Sequence, residues 1–195
     1  FSEKPLIALL PGSREMEIAN LLPIMAELPF FFPVHQFVIA GAPNFDEAYY
    51  KQFFKGIDIP VIFNQTYDIL HNAEAAVVTS GTATLETGIL KVPQVVVYKA
   101  NPISVWIAKL VIKVKFISLV NLINNFLSVR ELIQDEFFFK QKTAYEISYE
   151  VGELINNKAH RASVMENYDI LAEKLGSPGA SEKTAKLIVK YLAKF

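Results

Sequence analysis

The chain has 195 residues, a formal net charge of −1, 52% hydrophobic residues and no cysteine. That length is enough for one domain with a sizeable core. The near-neutral charge gives no field to recruit nucleic acid, and the missing cysteines exclude a disulfide framework or a thiolate site. His35, His71 and His160 lie far apart and lack metal-ligand spacing, so no metal site is expected. No apolar run reaches the ~20 residues of a membrane span. The 15 phenylalanines point instead to a greasy surface.

In chain order, Phe1-Ser2-Glu3-Lys4-Pro5 leads directly into a strand, and we read the chain as the later part of a longer protein. Leu6–Leu10 is a continuous apolar run of strand length, as in a parallel sheet covered on both faces. Pro11-Gly12-Ser13-Arg14 is the turn after it. Glu15–Leu28 carries apolar residues at helical spacing, with Pro23 predicting a kink or break. Gln36–Ala40 is the next strand, Phe45–Lys55 a helix, Val61–Phe63 a short strand and Thr66–Asn72 a short helix. Ala75–Val78 and Gln94–Tyr98 are further buried strands, separated by a helix over Ala83–Leu90. Repeated strand–helix alternation at short spacing predicts an α/β fold with a doubly wound, Rossmann-like parallel sheet.

Thr79-Ser80-Gly81-Thr82-Ala83-Thr84-Leu85-Glu86 is the stretch on which a functional reading turns. A strand, a tight turn and a helix start present free N–H groups and a positive helix end, suited to a phosphate. Glu86, about one helical turn on, can reach past a phosphate to sugar hydroxyls. Such turns also cap helices with no ligand present. Gly12-Ser13-Arg14 is a second turn of this kind, at the carboxyl end of another strand, where open α/β sheets bind ligands. The Arg14 guanidinium can fork onto phosphate oxygens; an ion pair with Glu15 or Glu17 is the competing reading.

Ile103–Lys115 sets Trp106, Ile107, Leu110, Val111 and Val114 on one apolar face beside Lys109, Lys113 and Lys115. This is the composition of an interfacial membrane segment, or of a core helix with its lysines in water. Phe116–Leu122 reads as a short strand, with the amide of Asn121 either facing the crevice or closing a turn. After Ser128 the chain reads as helical and polar, with helices over Glu150–Ile155 and Arg161–Leu175. Gly176–Ala180 breaks the pattern, and Ser181 caps a last helix to Leu192. The division expected is a Rossmann-like domain over 1–128 and a helical segment over 129–195.

Leu9-Leu10-Pro11-Gly12-Ser13-Arg14, Ser80-Gly81-Thr82-Ala83-Thr84-Leu85-Glu86, Pro93-Gln94-Val95-Val96-Val97-Tyr98, Ser118-Leu119-Val120-Asn121-Leu122 and Gly176-Ser177-Pro178-Gly179-Ala180-Ser181-Glu182 together resemble the lipid A disaccharide synthases. The resemblance covers nearly all of this chain and the carboxyl-terminal half of such an enzyme. It implies the nucleotide-binding half of a glycosyltransferase-B fold. It also implies a hexosyltransferase that joins UDP-2,3-diacylglucosamine to 2,3-diacylglucosamine-1-phosphate and releases UDP, with no cofactor and no metal. Gly12, Ser13, Arg14, Ser80, Gly81 and Thr82 would serve the diphosphate and Glu86 the ribose, with Thr84 a further substrate-binding residue. Gln65, in the loop Asn64–Tyr67, would lie near the uracil, and Asn121 at the crevice. No catalytic residue is expected in this half; the activating base would come from the amino-terminal one, leaving this part alone inactive. The implied setting is cytoplasmic, peripheral to the inner membrane, with a homodimer among the expected assemblies.

Two departures stand out. Where the family continues Asn-Leu-Ile with Ala-Gly-Arg-Glu, this chain has Asn124-Asn125-Phe126-Leu127, before Val129-Arg130-Glu131-Leu132 resumes the pattern. Phe137–Ile147 is foreign to the family. Lys140–Ile147 is what one frame of a sequencing-library adapter encodes and a phenylalanine run is what poly-T encodes, so the block reads as an assembly artefact and is assigned no function. Two other readings stay open: another UDP-sugar enzyme of the same architecture, such as a 2-epimerase, and a non-catalytic nucleotide-binding module.

Overall fold

All five residues of Leu6–Leu10 (β1) are buried, because this strand lies inside a sheet covered on both faces. The computed structural model describes residues 3–54, 56–99, 116–134, 142–176 and 179–192. β1 pairs in parallel with Gln36–Gly41 (β2), which pairs with Val61–Phe63 (β3). On its other side β1 pairs with Ala73–Thr79 (β4), followed outward by Gln94–Lys99 (β5) and Arg130–Gln134 (β6). The order β3-β2-β1-β4-β5-β6 is the doubly wound one, reversing direction between β1 and β4.

The alternation of side chains along β1 splits the apolar run between two cores. Ile7 and Leu9 pack with Ile18, Leu21, Leu22 and Met25 of α1 (Glu15–Met25). Leu6, Ala8 and Leu10 enter the opposite layer, with Ile69 and Leu70. Asp46 caps α2 (Glu47–Lys51) by accepting from Tyr49 N at 2.8 Å, and Thr66–His71 is α3. Thr82–Ile89 is α4 and Leu119–Asn124 is α5. Among the described residues three helices follow β6: α6 (Lys142–Asn156), α7 (Lys158–Leu175) and α8 (Ala180–Leu192). Tyr168 ties α7 to the sheet. It is 1% exposed, donates to Val92 O at 3.0 Å and accepts from Gln94 Nε2 at 3.2 Å. Burial pushes its phenol above the usual tyrosine range.

Several expectations need correction. α1 is not broken at Pro23 itself, but it ends at Met25, short of the expected Leu28, and Leu28–Phe30 forms a separate 3-10 turn. Phe116–Leu122 is not a strand: Ser118 Oγ accepts from Asn121 N at 3.3 Å and starts α5 instead. The stretch after Ser128 is not helical at once, because Arg130–Gln134 pairs along β5 from Val95↔Arg130 to Lys99↔Gln134. A boundary at 128 therefore cuts the sheet, and Ile147, Val151, Leu154, Val164, Tyr168 and Leu171 share the core cluster of β1 and β5. Ile103–Lys115 lies outside the described residues, as do 137–141 of the block suspected as an artefact. The rest of that block opens α6, with Ala144 and Ile147 buried. Among the described residues no helix is long and apolar enough to cross a membrane.

Candidate functional site

Where strand order reverses, the loops leaving two neighbouring parallel strands part and open a crevice at their carboxyl ends. Here that crevice has a volume of about 530 Å³, with the turn after β1 on one side and the turn after β4 on the other.

The first turn depends on Gly12, whose φ of +105 is a conformation that glycine adopts without a Cβ penalty. It delivers Ser13 and Arg14 to the start of α1. Their N–H groups do not point into empty space. Ser13 N and Arg14 N donate to Glu17 Oε2 at 3.2 and 3.3 Å, and Arg14 Nη1 donates to Glu17 Oε1 at 2.9 Å. The guanidinium side chain is 81% exposed and the carboxylate 25%. The ion pair weighed against a phosphate role for Arg14 is thus present, on the same carboxylate that holds the turn.

The second turn runs through Gly81, whose backbone is extended (φ 160, ψ −164). Thr82 and Ala83 head α4, where the helix supplies no acceptor for their N–H groups. Thr84 Oγ1 donates to Gly81 O at 2.7 Å, bracing the turn from beneath. Ser80 Oγ donates to Ile117 O at 3.2 Å and so fixes a third wall of the crevice, Ile117 and Leu119. That wall is built from below. The Glu131 carboxylate accepts from Ile117 N, Ser118 N and Asn121 Nδ2 at 3.0, 2.8 and 2.8 Å. Two helix N-termini and one guanidinium therefore meet at one opening, an arrangement that favours an anion.

Of the residues predicted for the site, Gly12, Ser13, Arg14, Ser80, Gly81, Thr82 and Glu86 line the crevice. Three do not. Gln65 is exposed just before Thr66, and Thr66 is the residue of that loop that reaches the wall. Thr84 is fully buried under the turn. Asn121 is also fully buried, with its amide spent on Ser128, Val129 and Glu131. Glu17, Thr79, Ile117 and Leu119 line the crevice without having been singled out for it. Thr79 opens the Thr79–Glu86 stretch and Ile117 precedes the Ser118–Leu122 motif, but neither carries a pattern of its own. In the divergent Asn124–Leu127 stretch, Asn125 is left-handed (φ 62), and Phe126 and Leu127 are 37% and 54% exposed away from the crevice wall. Among the described residues no group of three or more His, Cys, Asp or Glu side chains is placed to hold a metal ion.

Comparison with known proteins adds sequence to this geometry. The family profile described as lipid-A-disaccharide synthetase matches residues 2–188. A lipid-A-disaccharide synthase of Coxiella burnetii (strain CbuG_Q212) is 36% identical over 190 residues, covering 95% of this chain and 49% of that protein. One of Syntrophus aciditrophicus (strain SB) is 36% identical over 196 residues, covering 96% and 50%. The chain thus spans about half the length of the curated relatives it matches. The glycosyltransferase SnogD from Streptomyces nogalater has a TM-score of 0.55 to this chain at 17% identity, over 97% of this chain and 44% of that one. At that identity the likeness is one of fold: one Rossmann-like half of a glycosyltransferase-B architecture.

Proposed function

The chain belongs to the lipid-A-disaccharide synthetase family, and on that premise we propose that it holds the sugar donor in a glycosyl transfer. The reaction joins 2,3-diacylglucosamine from its UDP donor to 2,3-diacylglucosamine-1-phosphate and releases UDP. The observation that carries this reading is the meeting of the Gly12–Arg14 and Ser80–Thr82 turns across one crevice at the sheet's switch point. As the glycosidic bond to phosphate breaks, negative charge grows on the leaving diphosphate. Fixed N–H donors at two helix starts and the Arg14 guanidinium stabilise that charge with little reorganisation. Glu86, on the crevice side of α4, accepts from the ribose hydroxyls. The base that activates the acceptor hydroxyl belongs to the part of a full-length relative that this chain does not span.

Calorimetry with UDP tests the reading. The chain is expected to bind UDP, and Glu86→Ala to weaken that binding by about 2 kcal/mol, the worth of a charged hydrogen bond. Unchanged affinity would take Glu86 out of the site; no heat with UDP would sink the nucleotide reading itself.

Both proposed substrates carry acyl chains, so the enzyme works at the cytoplasmic face of a bilayer. Ile103–Lys115 is the contact this reading assigns, with Trp106 at the headgroup level and Lys109, Lys113 and Lys115 on anionic lipid, each for about 1 kcal/mol. Changing the three lysines to glutamine should move the protein off anionic vesicles in a flotation assay while UDP binding survives. A triple variant that floats like the parent would assign the stretch to the core.

A further inference from the structure

Glu17 occupies the donors that the diphosphate needs. Its carboxylate takes Ser13 N–H, Arg14 N–H and the Arg14 guanidinium together, at 3.2, 3.3 and 2.9 Å, and it lines the crevice. The turn is shaped to seat it. A Cβ on Gly12 would stand 2.5 Å from Glu17 Oε2 and 2.8 Å from Glu17 Cβ, so any side chain at position 12 collides with Glu17 as it is seated. Building on the nucleotide reading above, we propose that Glu17 is a built-in stand-in for the diphosphate. It keeps the donors of the first turn aligned while the site is empty, and the donor diphosphate must displace it to bind.

The geometry makes the exchange simple. Glu17 is an α1 side chain, so rotation about its own bonds clears the turn without moving the backbone. Two anions cannot share these donors, since each bond to them is charge-assisted and the phosphate and carboxylate repel. The stand-in therefore lowers affinity for any ligand that enters through its phosphates. It has no effect on a ligand held only by its base and sugar. It also favours release of UDP after transfer, because the carboxylate is tethered beside the donors as the phosphate leaves.

The test is calorimetry on this chain with UDP and with uridine, comparing the parent with Glu17→Gln and Glu17→Ala. Glutamine keeps the shape and an acceptor for the turn but removes the charge. Both variants should bind UDP more tightly, Glu17→Gln by roughly tenfold, with uridine affinity changed less than about twofold. Thermal melts identify a variant that loses its fold; if alanine does, glutamine carries the test. If the parent binds UDP and neither folded variant gains affinity, Glu17 merely supports the turn and the proposal falls alone. If parent and variants are all silent to UDP, the nucleotide reading falls and takes the stand-in with it.

Discussion

Asn121→Ala should lower the unfolding free energy of this chain by about 3 kcal/mol, read by urea denaturation. Asn121 is fully buried and makes four side-chain hydrogen bonds: Oδ1 accepts from Ser128 N and Val129 N at 2.7 and 2.9 Å, and Nδ2 donates to Val129 O and Glu131 Oε1, both at 2.8 Å. Truncation strands two N–H groups and a carbonyl in the interior. It also takes one donor from a carboxylate that must still hold Ile117 N and Ser118 N. Each stranded group costs about 1–3 kcal/mol, partly recovered if water enters the space left. Asn121→Asp should be no better, since it trades the donor facing Glu131 for a second carboxylate. Because Ile117 and Leu119 form the crevice wall, UDP affinity should fall along with stability. A loss below about 1 kcal/mol would mean that the stretch from α5 to β6 is held by its apolar contacts and by the Glu131 bonds to Ile117 N and Ser118 N, with the Asn121 amide adding little.

The same amide shows what a linear reading can and cannot reach. The buried strands were legible because a strand covered on both faces must be apolar throughout, as Leu6–Leu10 and Val95–Val97 are. The two anion-suited turns were legible because Gly12 and Gly81 follow such strands. The fate of Asn121 was not. Phe116–Leu122 is as apolar as a strand, and what makes it a helix is the Ser118 cap together with a carboxylate ten positions beyond Asn121. β6 was hidden for a related reason. Among the described residues Arg130-Glu131-Leu132-Ile133-Gln134 is the last strand of the sheet, paired with β5 alone, so it is free to carry charge and lacks the apolar signature of the inner strands. Glu17 was half visible. Its pairing with Arg14 could be anticipated from their spacing. Its grip on two backbone N–H groups could not, because a capping box is read from Ser or Thr at the cap, and here Arg14 holds that position with Ser13 one residue too early.

Gly81→Val should abolish UDP binding while leaving stability within about 0.5 kcal/mol of the parent. The three glycines nearest this question differ in what they are for. Gly12 has a positive φ, and a Cβ there strikes Glu17. A Cβ on Gly88 would come within 3.1 Å of Leu171 in the core. Gly81 has neither constraint: its backbone is extended, a conformation valine adopts readily, and a Cβ there meets nothing within 4 Å. The fold therefore does not require glycine at 81. Gly81 lines the crevice together with Thr82 and Ala83, whose N–H groups start α4. A phosphate oxygen must come within about 3 Å of those nitrogens to bond, and a branched side chain standing over the turn denies that approach. The expected loss is at least about hundredfold in Kd, near 2.7 kcal/mol, with an unchanged thermal melt as the mark that only the site has been filled. Valine tolerated with full UDP affinity would mean that the ligand does not rest on the α4 N-terminus, and the diphosphate would have to be carried by the Arg14 turn alone.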